Sequence, residues 1–449
     1  MTTKNKIKPE QAKALEDLEI IIGKSIPQVE RIDWKTFGFK IDGDNVTELG
    51  LYGQEMSTLP ESISNLKLLT YLNLGDNKFS FLPESIGNLS SLEKLNLWRN
   101  ELTSLPESIG NLSSLIYINL GSNKLSILPK FVKKLKSLQE LYLGWNQLTA
   151  LPKSIGNLKS LICLELFQNK LTMLPESIGN LKSLKELNLN DNPKLSTFPE
   201  FLTKLNSLQK LKLGWTQLQS LSESIGNLIS LQTLELHANL LTTLPDSIGN
   251  LRSLKSLDLS GNKLITLPES IGNLSSLKKL ILWRNNLSTL PESIGNLKSL
   301  TYLSLGENNL TTLPESIGNL KWLQTLSLGD EWGYNKLTTL PESIGNLKSL
   351  QRLDLNCNQL IALPESIGNL NSLQTLELYR NQLTALPESI GNLKSLEILN
   401  LRGNKLTTLP ETIIKLTSLN ELDLTYNNLA PLPKSIEILK KRGVSIYYS

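Results

Sequence analysis

The chain has 449 residues and a formal net charge of +4, from 46 basic and 42 acidic side chains, with one histidine and two cysteines. Acids and bases are interspersed without a basic block, which argues against a nucleic-acid ligand, and no run approaches 18 apolar residues, so no membrane span is expected. His237 lies beside no nucleophile, and no His/Cys spacing suits a metal, so the reading assigns no catalytic residue, cofactor or metal.

In chain order, Met1 to Lys6 lead into a charged stretch without the apolar core of a secretory signal. That favours a cytoplasmic location, with a secreted or cell-surface one left open. Pro9 to Ile22 is predicted to form an amphipathic helix, with Leu15, Leu18 and Ile22 on one face and Gly23 as its stop. Gly23-Lys24-Ser25 looks like the tail of a phosphate loop, but Leu18 stands where that pattern needs glycine. Asp42-Gly43 separates two strand-like runs and predicts a hairpin. Trp34, Phe37 and Phe39 are expected to plug the first core layer beyond it. Residues 1–45 therefore form an N-terminal cap.

From residue 46 to about 432 the chain repeats, in roughly 17 units. LPESIGNL occurs nine times without change, at a spacing of about 23 residues. Such a period marks a stacked array in which no unit buries its own apolar face. Each unit opens on a short strand such as Leu72-Asn73-Leu74, leucines inward and Asn73 outward. The asparagine that follows (Asn77, Asn100, Asn123, Asn146) is predicted to form a buried ladder whose amides satisfy the turn leaving each strand. In LPESIGNL, proline is expected at the first helical position, with Ile86 and Leu89 facing inward. Cys163 and Cys357 fall in distant repeats and are not expected to pair. Residues 433–449 are read as a C-terminal cap, with Ile436 to Lys441 helical, Gly443 as the stop and Val444 to Tyr448 over the last strand edge.

Several units depart from the pattern. Pro193 is extra, Thr216 replaces a ladder asparagine and Ser222 replaces a proline, which predicts a local change of curvature. Residues 330–334 form an insertion containing Trp332 and Tyr334, read either as a loop beside a binding face, as in other repeat arrays, or as a merely tolerated insertion. Lys130, Lys133, Lys134 and Lys136 read as a solvated basic patch, and Trp322 as packed on the return side.

The unit LxxLxLxxNxLTxLPESIGNLxS resembles the leucine-rich repeat superfamily at its 23-residue length, over residues 46 to 432. The LPESIGNL form is similar to leptospiral-type bacterial proteins and to the Ras-group repeat proteins of plants and animals. The resemblance implies an α/β repeat solenoid of horseshoe form. A parallel β-sheet would line its concave face, short helical or 3-10 turns its convex face, with a helix-hairpin N-cap and a short C-cap. It also implies binding of a protein or peptide on the concave face, and no enzymatic activity. Bacterial effector ligases that share the repeat carry a further catalytic domain, which is not seen here.

The return segment is nearly invariant, whereas the letters around the strand leucines vary. Trp98, Tyr142, Trp145, Phe167 and Trp215 fall there, as do His237, Ile281, Trp283, Tyr302 and Tyr379, with Arg99, Arg284 and Arg380 at the rim. Neighbouring strands lie ~4.8 Å apart. That predicts contact between Trp145 and Phe167, between Trp215 and His237, and among Ile281, Trp283 and Tyr302. Trp, Tyr and Arg dominate interface hot spots, so these residues are read as a protein-binding face, against the plainer alternative of a solvated or self-packed sheet. The resulting function is a non-enzymatic interaction module, with a monomer favoured. Two alternatives are an exported host-interaction factor of a bacterial pathogen and a scaffold or regulator of a small GTPase.

Overall fold

In the computed structural model, residues 7–329 and 334–448 are described. The chain forms two compact units, Met1–Gln217 and Leu218–Ser449.

The first unit begins with helix α1 (Pro9–Ile22), closed by Gly23 at φ +78°, whose N–H donates to the Glu19 carbonyl. Leu15 and Leu18 are buried as expected, while Ile22 is half-buried. Gln11 is buried beside them because its Oε1 accepts from the Val46 N–H, which ties the helix to the hairpin. Strands β1 (Phe37–Asp42) and β2 (Asn45–Leu51) form that hairpin, antiparallel, with an irregularity between Lys40 and Ile41. From β2 onward, three-residue strands pair in parallel, one per repeat, to Lys210–Lys212. The plug expected from three aromatics is made by Phe39 alone, since Phe37 is half-buried and Trp34 lies exposed elsewhere.

The second unit repeats the arrangement from Thr233–Glu235 to Glu421–Asp423, all parallel. Helix α2 (Lys434–Lys441) starts two residues earlier than expected, directly after Pro433. Gly443, at φ +89°, turns the chain so that Ser445–Tyr447 pairs with Glu421–Asp423. The Arg442 guanidinium donates to the carbonyls of Ile414 and Leu416 and holds this end down.

Each repeat is built around its asparagine. Asn123 Nδ2 donates to the carbonyls of Leu120 and Gly121 in its own repeat, at 3.1 and 3.3 Å, and to Leu97 of the preceding one at 2.9 Å. Its Oδ1 accepts from the Leu102 N–H at 3.0 Å. One buried amide thus satisfies groups in two repeats. Where Thr216 replaces it, the hydroxyl still donates to the Leu213 carbonyl at 2.8 Å. After the insertion, Asn335 reaches Leu328 at 2.7 Å and Leu305 at 2.9 Å, so the ladder resumes in place.

The return segment forms a 3-10 turn, such as Glu84–Asn88. Its proline is not the first helical residue. Pro83 is extended (φ −69°, ψ 152°) and accepts at its carbonyl from the Ile86 N–H. Its role is to fix the φ of the residue before the turn while offering no donor. Where Ser222 stands instead, its hydroxyl accepts from the Ser224 N–H, so the turn keeps a cap. The glutamate that follows the proline crosses to the next repeat. Glu84 accepts from the Ser108 N–H at 3.0 Å, and Glu223 from the Ser247 N–H at 3.0 Å. The nearby Ser108 and Ser247 hydroxyls, then these N–H bonds, lower the pKa of the two carboxyls from the ordinary glutamate range. The glycine is needed for close stacking. A Cβ on Gly345 would lie 2.4 Å from the Ser366 carbonyl oxygen. Trp322, expected to pack on the return side, is exposed, because the serine position it takes points to solvent.

Asn123→Ala would leave the buried Leu102 N–H without its partner and take one of two donors from the Leu97 and Leu120 carbonyls, which keep Asn100 and Asn146, at an expected cost of about 1–3 kcal/mol. Urea unfolding measures this. A loss below about 1 kcal/mol would mean that water or backbone movement replaces the amide.

Candidate functional site

Side chains alternate along the strands, so each repeat shows two residues outward and a third just beyond the strand end. In the first unit the third position carries Trp98, Gly121, Gly144 and Phe167 in successive repeats. The large rings cover the small neighbours. A Cβ on Gly121 would lie 3.2 Å from Trp98 Cδ1, and one on Gly144 would lie 2.3 Å from the Phe167 ring. In the second unit Trp283 covers Gly306 in the same way, at 3.1 Å. These rings are therefore half-buried against the sheet. They are partly self-packed, and one face of each ring is used by the fold itself.

Trp145 and Trp215, expected on the strand face, stand elsewhere. Each occupies the residue immediately before the ladder position, with φ of +59° and +56°, and so do Arg99, Arg284 and Arg380. The left-handed turn follows from the ladder bonds, and non-glycine residues occupy it in most repeats. It directs the side chain to the rim, where Trp145 is 53% and Trp215 58% exposed. Trp145 and Phe167 do meet, edge to face, with ring centroids 6.1 Å apart. Trp215 closes the first unit and His237 lies in the second. His237 is half-buried, and its Nδ1 has no hydrogen-bond partner among the described residues.

Tyr302 stands opposite Lys279, whose Nζ lies 5.4 Å from its ring centre. Ile281 pairs with Ser304, and the Trp283 ring lies against Gly306. The rim arginines are already engaged. The guanidinium of Arg99 lies 5.9 Å from the Trp98 ring centre, that of Arg284 5.9 Å from Trp283, and that of Arg380 5.1 Å from Tyr379. Arg99 also meets Asp76 at 3.3 Å, and Arg284 meets Glu307 at 3.7 Å. Tyr334 is exposed, while Trp332 lies outside the described residues.

Tyr142 contacts the Tyr117 ring at 5.3 Å and donates to Glu140 at 2.7 Å. Burial, then that bond to Glu140, raises its pKa above the ordinary phenol range. Cys163, two strands of the same face away from Tyr117, is free and buried. Burial, with Glu165 and Glu186 nearby, pushes its thiol up to about 12. Cys163, Glu165 and Glu186 place one ligand atom each within 4.8 Å of one another. Lys210 Nζ already holds Glu186 at 2.7 Å, so one member of the trio is ion-paired.

The largest departure from expectation is the loop after α1. Asp33 and Trp34 lie on the strand face, where Asn73 Nδ2 donates to the Trp34 carbonyl at 2.9 Å and Asn73 Oδ1 accepts from Asn96 at 2.9 Å. Between this loop and the strands is a recess of about 650 Å³ whose walls include Trp34, Tyr71 and Tyr117. Tyr71 and Tyr117 occupy the same strand column as Tyr302, so aligning the repeats would have found them. Nothing in the sequence placed the loop.

The stacked parallel strands and 3-10 turns define a repeat solenoid. A family model described as a leucine-rich repeat region matches residues 50–143, 107–224, 200–290, 247–330, 291–382 and 331–397, and one described as leucine rich repeat matches 372–429. The chain belongs to the leucine-rich repeat family. It is similar to a leucine-rich repeat protein of Leptospira interrogans, at 40% identity over 89% of this chain and 94% of that one, with a TM-score of 0.77. A TDR receptor is 32% identical over 90% of this chain and 72% of that one, with a TM-score of 0.73. The plant peptide hormone receptor RGFR1, solved in complex with RGF2, is 27% identical over 91% and 86%, with a TM-score of 0.54. No curated protein matches. No helix among the described residues is long and apolar enough to cross a membrane.

Cys163 and Cys357 are both buried. In native protein at pH 8 neither thiol is expected to react with a thiol reagent, and both should react in urea. Because the Cys163 pKa is raised in the fold, its contribution to stability is intact below the ordinary value near 9 and is lost as pH climbs toward about 12. Fast labelling of Cys163 ahead of unfolding would contradict the burial.

Proposed function

We propose that the chain is a non-enzymatic interaction module that binds a protein or an extended peptide on its strand face and rim. Trp145 and Trp215 are the principal anchors, with Trp98, Tyr142 and Phe167 beside them in the first unit. The second unit carries a strand face of its own, with Trp283, Tyr302 and Tyr379. The observation that carries this reading is that two indoles stand more than half exposed at the same rim position in one unit. Apolar area left in water forgoes ~25 cal/mol per Å² that a partner would recover. Half-buried rings held against glycines are pre-set in one orientation, which lowers the entropy lost on binding. The likeness to the plant peptide hormone receptor RGFR1, solved in complex with RGF2, supports the same reading.

A second reading, that this surface serves outside a bacterial cell against a host protein, is favoured by the 40% identity to the Leptospira interrogans protein. Fractionation of the source organism separates the two, because protein found only in the cytosol would rule this second reading out.

The double variant Trp145→Ala, Trp215→Ala is expected to weaken partner capture more than about tenfold, as removal of hot-spot anchors does, while leaving the unfolding midpoint nearly unchanged because both indoles are more than half exposed. The measurement is crosslinking of native lysate to wild type and variant, with mass spectrometry of the crosslinked positions. Equal capture by both proteins would sink the reading.

A further inference from the structure

We propose that the recess beneath Trp34 is a socket for a single cationic side chain, an arginine or lysine presented by an extended segment lying on the strand face. The inference rests on the strand-face reading above and adds the chemistry of one contact.

The recess is a built feature. The loop carrying Asp33 and Trp34 is pinned across the strands by the Asn96–Asn73–Trp34 chain of hydrogen bonds. Asp33 is held in turn, since its carboxylate accepts from the Lys35 N–H at 3.0 Å and from the Thr36 hydroxyl at 2.6 Å. The recess is therefore pre-formed, at about 650 Å³, ample for a guanidinium on its aliphatic stem.

Its walls select by charge and by ring. Asp33, Glu48, Glu93 and Glu140 line it against one base, Lys94. Two of these acids are already satisfied: Lys40 holds Glu48 at 2.8 Å, and Tyr142 donates to Glu140. The Glu93 carboxylate has no hydrogen bond or ion pair among the described residues, and it is the one to meet an incoming cation. Trp34, Tyr71 and Tyr117 supply π faces, which attract cations and repel carboxylates. Trp34 already shows this preference, because Lys35 Nζ sits 4.3 Å from its ring centre, outside the recess lining. An anionic side chain would face net negative charge, and a purely apolar one would strand Glu93. Arginine fits best, since its planar guanidinium stacks on rings and forks onto a carboxylate at once.

The test uses the full chain with its seven tryptophan indoles labelled with nitrogen-15. N-acetyl-arginine N-methylamide is titrated in, with the glutamine and glutamate analogues as controls. The Trp34 indole signal, assigned by its loss in Trp34→Phe, is expected to move saturably with the arginine probe and not with the controls. Glu93→Gln should weaken that response by about threefold, the scale of an exposed ion pair, and Trp322→Phe, an exposed indole on the return side, should leave it unchanged. The remaining indole signals report that each variant is folded. An equal response to the glutamine probe, no Trp34 response, or indifference to Glu93→Gln would overturn the socket. If that happens while the rim variant still loses its partner, the socket fails and the strand-face reading stands.

Discussion

One buried amide per repeat governs what the rest of this chain does. The ladder asparagine bonds to carbonyls in two successive repeats and to a main-chain N–H, as Asn123 does with Leu97, Leu120 and Leu102. It thereby ends each strand after three residues and forces the preceding residue into the left-handed region. From that follow the short strands, the rim position and the number of side chains each repeat offers outward. The leucine core supplies the driving force, but the asparagine sets the frame in which the leucines meet.

The frame was legible in the sequence, because it repeats and repetition exposes its rules. Helix α1, the Asp42-Gly43 hairpin, the ladder and the terminal cap all follow from local signals of period, capping and turn chemistry. Legibility failed where a residue's role is set by contact across repeats. Strand alternation suggested that Trp145 and Trp215 stand on the face, but alternation stops one residue before them, at the turn the ladder imposes. LPESIGNL looked like a uniform back. In fact its glutamate bonds the next repeat and its glycine makes room for it. The loop at Asp33 and Trp34 was least legible, since its position depends on Asn73, some forty residues away, and no local pattern encodes that meeting.

The strand face combines two kinds of contact that are usually discussed apart. Rings lie over glycines in adjacent repeats, and arginines lie over rings in the same repeat. The first fixes the rings, and the second sets beside them a guanidinium that is also ion-paired, Arg99 to Asp76 and Arg284 to Glu307. A partner arriving on such a surface meets oriented aromatic edges and displaceable guanidinium groups, with little reorganisation of the sheet itself. The exposed indoles at the rim are of another kind: each stands on a left-handed turn residue with more than half its surface open, and Trp145 meets Phe167 edge to face.

The corner between a strand and its ladder asparagine also tolerates growth. Where four residues are added ahead of Asn335, that amide still reaches Leu328 seven positions back and the Leu305 carbonyl of the preceding repeat. Added length is absorbed before the checkpoint and is not passed on, so every repeat downstream keeps its register. A molecule constructed this way separates its vocabulary from its grammar. It can gain a loop at any one of these corners in a single step, with the cost confined to that corner and the rest of the stack unaltered.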